Sequence, residues 1–482
     1  MSRISVGVLT EDNIAAAPIN QQWTPPHRRD ILRLPINRRT RIRIGQPLEA
    51  VMSDYERIFD AWEQGGIRGL AFGRLVFADE QGQSTIPAFK GDPAPYQKRG
   101  LKAELRDVPL QPDKEKLLHA MLADAKRRGW TVMIFAPASG TIAAEGLPLE
   151  DDPYGTQLHA ASWEDIFAAF PEADGGIVDG WTESPYELTY HHGNAVFRPL
   201  NDGQRREATA RGYDAERLDR GRQHLLQRFQ SFTPAEVDYY GDHGVLSEMN
   251  LFDINEDALY WLRWRREDGI RQGRDFRQAI DELPRQLLLG NGPRSAVFSG
   301  MTALDFHAWG QIVDLLLVKH YFWHRGFDGM YGTVARWVQQ IQEWNPVLSE
   351  AQCWTVLRAW LGIRLPEVEC LADMELGFPQ AFFDEVVQEE TRRAIAAVGD
   401  PQKILPWVDT GRMPHGGDPM TAGDLYRILQ ASEAAGLQRF LFHNHAHLTA
   451  AEWAVISRMC GTAWDEDPDG YWPPATPKPG TF

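Results

Sequence analysis

One pattern constrains this chain more than any other: segments with helical periodicity, each stopped by glycine or proline, are followed by short apolar runs of strand length. Tyr55, Ile58, Phe59 and Trp62 fall at helical spacing before Gly65-Gly66, and the apolar run 67–77 comes next. Leu117, Leu118, Met121, Leu122 and Ala125 share one helical face before Gly129, and Thr131-Val132-Met133-Ile134-Phe135 follows. Trp163, Ile166, Phe167 and Phe170 repeat the arrangement before Pro171, and the next strand runs through Gly175-Gly176-Ile177-Val178 to Asp179. Further strands are expected at 295–299, 313–318, 404–408 and 439–442, separated by helical stretches at 333–344, 351–360, 385–398 and 422–435. Such alternation predicts a parallel sheet, either a closed (β/α)8 barrel or an open doubly wound sheet.

The polar residues choose between them. Asp179, Lys319-His320, Asp409 and His443-Asn444-His445 all fall at the carboxyl ends of expected strands. A closed barrel brings those ends to one rim, whereas an open sheet spreads them out. The expected fold is therefore α/β, a (β/α)8 TIM-type barrel over residues 51–465. An Arg-rich N-terminal arm (1–50) precedes it, a charged helical insertion interrupts it at about 200–290, and a Pro-rich tail (466–482) follows.

Composition excludes several classes of function. The net charge is −17, from 67 acidic against 50 basic residues, which argues against a nucleic-acid backbone as partner. Cys353, Cys370 and Cys460 lie far apart without metal-type spacing, so neither a disulfide framework nor a cysteine zinc site is expected. No apolar run approaches the roughly 18 residues that span a bilayer, so no membrane partner is expected. The first residues lack a signal-peptide pattern, which makes a cytoplasmic location the expectation. Oligomeric state is left open, with a homo-oligomer among the options. The 17 tryptophans are enough for some indoles to line a pocket as well as a core.

The chemistry that these residue types support is acid–base work by paired carboxylates. Hydrolysis of a glycosidic bond in most families needs two, roughly 5 Å apart for direct attack and further apart when a water intervenes. Asp179 and Glu183 are close in sequence, while Asp179 and Asp409 come from different strands and can face each other across a barrel mouth; both pairings stay open. Lys319 and His320 are placed to act on a neighbouring carboxylate or on sugar hydroxyls. The segment from Lys319 to Thr333, with Tyr321, Trp323, Asp328 and three glycines, makes a poor core and a good loop over a pocket. Against this stands a metal-centre reading: His443 and His445 form an HxH in which alternate strand residues point to one side.

Together, Gly175-Gly176-Ile177-Val178-Asp179-Gly180, Lys319-His320-Tyr321-Phe322-Trp323 with Gly326-Phe327-Asp328-Gly329, and the late His443-Asn444-His445 resemble the broad group of TIM-barrel proteins similar to glycoside hydrolases, over roughly residues 55–460. That resemblance implies carbohydrate binding at the rim, with Asp179 catalytic and Glu183 or Asp409 as its partner. It places Trp181, Lys319, His320, Tyr321, Trp323, Asp328, His443, Asn444 and His445 around the substrate, and it requires no cofactor or metal. The competing expectations are a metal-dependent barrel hydrolase or isomerase using the strand-end histidines, and a catalytically silent carbohydrate-binding barrel.

Overall fold

A computed structural model describes residues 40–44, 47–135, 142–145, 155–179, 185–188, 195–320, 329–409, 421–437, 439–443, 445 and 448–464, with backbone only at 143–145, 320 and 409. Eight parallel staves run through these residues. They are β1 Arg41–Ile44, β2 Gly69–Phe72, β3 Thr131–Phe135, β4 Gly175–Asp179, β5 Leu288–Gly292, β6 in two pieces (Leu315–Leu316 and Lys319–His320), β7 Trp407–Asp409 and β8 Leu441–His443. Each pairs with its neighbour in chain order, and β1 pairs with β8. The sheet closes through β6. On one side the Leu317 and Lys319 amides donate to the Asn291 and Pro293 carbonyls; on the other the Leu405 and Trp407 amides donate to the Leu316 and Val318 carbonyls. The molecule is a (β/α)8 barrel.

Alternation along each stave sorts side chains between two cores. Ala71, Met133, Ile177, Leu288, Leu315, Leu317, Leu405, Trp407 and Leu441 fill the barrel interior. Ile42, Ile44, Leu70, Phe72, Val132, Ile134 and Phe442 face outward, where Ile58, Phe59 and Trp62 of helix Tyr55–Gln64 and Leu118, Met121 and Leu122 of helix Pro112–Arg127 cover them. That same period of two explains β1, whose residues lie inside the stretch expected to be an arm. Arg41 and Arg43 resemble a solvated basic run, yet Arg41 is 1% exposed and its Nε donates to Thr131 Oγ1 at 2.8 Å within the base of the barrel.

The base carries polar contacts at several points. Asp174, just before β4, accepts from Lys126 Nζ at 2.5 and 2.7 Å and from the Val132 amide at 2.8 Å. Arg439, before β8, donates from Nε to the Ile404 carbonyl at 2.8 Å. These contacts tie the start of β4 to β3 and that of β8 to β7.

Two expected strands lie elsewhere. The run at 295–299 is a 3-10 turn, Ala296–Phe298, leading into helix Ser299–Thr302, and the true stave is Leu288–Gly292. Its glycines disguise it, but they make room inside the barrel: a Cβ at Gly290 would lie 2.8 Å from Leu317 Cδ1, which would have to shift. The run 67–77 splits into β2 and the strand Val76–Ala78, which pairs antiparallel with Ser84–Pro87. Between β4 and β5 stand the helices Asp202–Ala210, Ala215–Phe229, Pro234–Tyr240, Val245–Leu251 and Glu256–Asp281. Among the described residues no helix is long and apolar enough to cross a membrane.

One outer contact makes stability depend on pH. His119 Nδ1 lies 3.1 Å from Glu172 Oε1, and the ring stacks on Phe170 with centroids 5.1 Å apart. Hydrogen bonding to Glu172 raises the imidazole above its ordinary value, with burial opposing the shift. A basic group raised in the folded state contributes stability that is fully present below its unfolded value, about 6.5, and is lost as pH rises through the folded value. Wild type should therefore melt higher than the E172Q variant at pH 5.5, and the gap should shrink by pH 8.5; an equal gap at both values would contradict the pairing.

Candidate functional site

Asp179 is the last residue of β4, one layer above Ile177 of the interior core. Lys319 stands in the same relation to Leu315 and Leu317 on β6. Period two thus sends both side chains inward at the rim, from staves separated only by β5. At that level β5 offers Gly292, which is paired in register with Asp179. With no side chain there, Lys319 Nζ reaches across to Asp179 Oδ1 at 2.5 Å. A Cβ on Gly292 would sit 3.1 Å from Asp179 Oδ1 and 3.6 Å from Lys319 Cε.

The pair is asymmetric. The Lys319 side chain is 5% exposed and that of Asp179 is 27% exposed, so the ammonium lies beneath a carboxylate that opens to the mouth. Ser295 Oγ also donates to the Lys319 carbonyl at 3.2 Å, fixing the strand end from the next connection.

On the other side of the rim the interior-facing groups are Arg43, Phe135, Trp407 and His443. The Arg43 guanidinium lies over Phe135 at 4.5 Å and over Trp407 at 5.5 Å, and it donates to His443 Nε2. The His443 ring packs on Trp407 with centroids 4.8 Å apart. Asp409 is in register with His443, which places its backbone at the same level.

His443 and His445 do not share a side. His443 is the last residue of β8, and the strand periodicity that would keep alternate residues together ends there. His445, 1% exposed, packs edge-on against Trp62 in the outer layer, with ring centroids 6.0 Å apart. The expectation that the HxH presents two imidazoles to one centre is therefore corrected. Among the described residues no group of three or more His, Cys, Asp and Glu is placed to hold a metal.

The structure thus brings together Asp179 and Lys319, and gathers His443 onto the same rim. Glu183, Trp181, Tyr321, Trp323, Asp328 and Asn444 lie outside the described residues, as do the side chains of His320 and Asp409. Four participants were missed in the sequence: Arg43, Phe135, Trp407 and Gly292. Arg41-Ile42-Arg43-Ile44 carries a strict period-two signal that identifies a strand with arginines on one face. Phe135 ends β3, and Trp407 precedes Asp409 by two, so both follow from the strands once inward parity is known.

No protein-family model matches the sequence, and no curated protein matches it. Three solved structures illustrate the likenesses of the fold. The PgaB (BpsB) glycoside hydrolase domain from Bordetella bronchiseptica superposes with a TM-score of 0.44 at 10% identity, covering 85% of this chain and 94% of that one. The catalytic domain of beta-amylase from Paenibacillus polymyxa gives 0.41 at 9%, covering 88% and 98%. The catalytic domain of chitinase B from Arthrobacter TAD20 gives 0.39 at 10%, covering 88% and 95%. Superpositions this loose leave the chemistry to the residues described above; the barrel itself rests on its own strand pairing.

The glycine gap yields a direct test. A Cβ at position 292 meets the carboxylate and a lysine methylene, groups that can shift by tenths of an ångström, so G292A should fold with a melting temperature within about 4 °C of wild type. Its crystal structure should show the Asp179–Lys319 contact lengthened or broken. An unmoved pair would show that the gap is not what sets it.

Proposed function

We propose that the barrel mouth is a glycosidase-type site in which Asp179 acts as nucleophile or base. One observation carries this reading: a partly exposed carboxylate at an inner strand end, held in one orientation by a buried lysine 2.5 Å away. A carboxylate that attacks an anomeric carbon or activates a water must be fixed in direction while remaining open to substrate, and the ammonium beneath Asp179 supplies that fixity. Glu183 or Asp409 serves as the acid, and the substrate is a carbohydrate. His320 and Asn444 hydrogen-bond sugar hydroxyls, Trp181 or Trp323 offers a stacking face, and Tyr321 and Asp328 contact the substrate.

The divergence of the two histidines favours this chemistry over a metal-dependent one. His443 already accepts from Arg43 through Nε2, and His445 is buried against Trp62, so neither is poised beside the other as a ligand pair. Arg43 and Phe135, partly exposed over the buried Trp407 and His443, instead offer a polar and an aromatic group of the kind that orients a sugar ring.

On a panel of aryl and natural glycosides, D179N should lower turnover about a thousandfold while still folding, with a lower melting temperature because the buried Lys319 ammonium loses its counter-charge. Turnover equal to wild type would exclude Asp179 as the reacting carboxylate. Glycan binding by wild type with no cleavage across the panel would replace the enzyme by a silent carbohydrate-binding barrel.

A further inference from the structure

Arg265 stands out among the charged residues that the rim chemistry does not use. It lies on the long helix Glu256–Asp281 of the insertion and is 5% exposed. Its Nη2 donates to two backbone carbonyls, Pro185 at 2.5 Å and Met301 at 2.6 Å. Its guanidinium also lies over the Trp261 ring at 4.9 Å. No carboxylate among the described residues pairs with it, and Nη1 has no hydrogen-bond partner among them. Burial alone pushes the guanidinium down to about 9.

A buried cation that among the described residues meets only carbonyls and one ring is a poor choice for stability, since an apolar side chain of similar volume serves packing at least as well. Its two acceptors suggest what it does instead. Pro185 opens the described segment 185–188 on the connection leaving β4, the stave that ends in Asp179. Met301 lies on the connection leaving β5, the stave that ends in Gly292. One guanidinium therefore bridges the connections that follow the two staves paired at Asp179 and Gly292. The helix is seated for this purpose: Gly269, one turn beyond Arg265, packs so closely that a Cβ there would lie 3.0 Å from the Ala303 carbonyl, beside the same connection. A second cation grips the first connection, with Arg336 donating to Glu187 at 2.6 Å.

We propose that Arg265 is a positioning residue for the Asp179 strand end, tying the β4 and β5 exits together so that the helical insertion holds the reacting carboxylate in register. This rests on the glycosidase reading for its kinetic consequence, while the tie itself is measurable without turnover.

The experiment compares R265M, R265K and D179N with wild type by steady-state kinetics and by hydrogen exchange of peptides covering residues 185–188. R265M removes the charge and both donors; it should fold, lower kcat about tenfold or more with KM within about threefold, and raise exchange at 185–188 about tenfold while strand amides at the barrel base stay protected. R265K, which keeps a charge able to reach one carbonyl, should recover part of both. If R265M does not fold, the intermediate loss of protection in R265K provides the same reading. A folded R265M with wild-type exchange at 185–188 overturns the tie, and raised exchange with wild-type kcat overturns its positioning role. Wild-type turnover in D179N strikes the proposed function instead, leaving the exchange result to decide the tie on its own.

Discussion

The site depends on barrel closure at β6. Because the run from Leu315 to His320 is hydrogen-bonded to β5 on one side and β7 on the other, its inward parity is locked to both neighbours. A slip of one residue would turn Lys319 outward and leave Asp179 without its partner. Closure alone is insufficient, since β5 lies between Asp179 and Lys319. It is Gly292, lacking a side chain at that level, that lets the ammonium reach the carboxylate.

Charge is distributed unevenly between the two ends of this barrel. At the base, Lys126 and Asp174 are almost wholly buried and paired, and Arg41 and Arg439 donate to groups that also belong to the strand starts. These contacts specify register, at a desolvation cost that buried ion pairs recover only when their geometry is good. At the rim the pair is half open. A buried lysine beneath a partly exposed carboxylate is an arrangement that fixes the direction of that carboxylate while leaving it open to the mouth.

Much of the architecture was legible in the sequence because helix period and strand period alternate so regularly, and the strand-end positions of Asp179 and Lys319 followed from that rhythm. What was not legible has a common physical cause: the interior of a barrel tolerates residues that look like surface or loop. Arg41 and Arg43 resemble a solvated run until their alternation with Ile42 and Ile44 is noticed. Leu288-Leu289-Gly290-Asn291-Gly292 resembles a turn, although its glycines are the spaces into which Leu317 and the Asp179–Lys319 pair fit. His443 and His445 were expected to face one way, and the end of β8 between them sends one inward and the other against Trp62. The partner proposed for Asp179, Glu183 or Asp409, rests on sequence position and on the backbone register of β7 with β8.

In the proposed glycosidase reading, Asp179 meets the reacting carbon of a carbohydrate at this rim. The most direct measurement is a crystal structure of the D179N variant with a bound, uncleaved oligosaccharide. The account predicts an anomeric carbon over position 179, at about 3–3.5 Å for direct attack or one water further for activation of a water, with Lys319 beneath. A sugar bound at another face, or one whose glycosidic bond lies far from position 179, would contradict it.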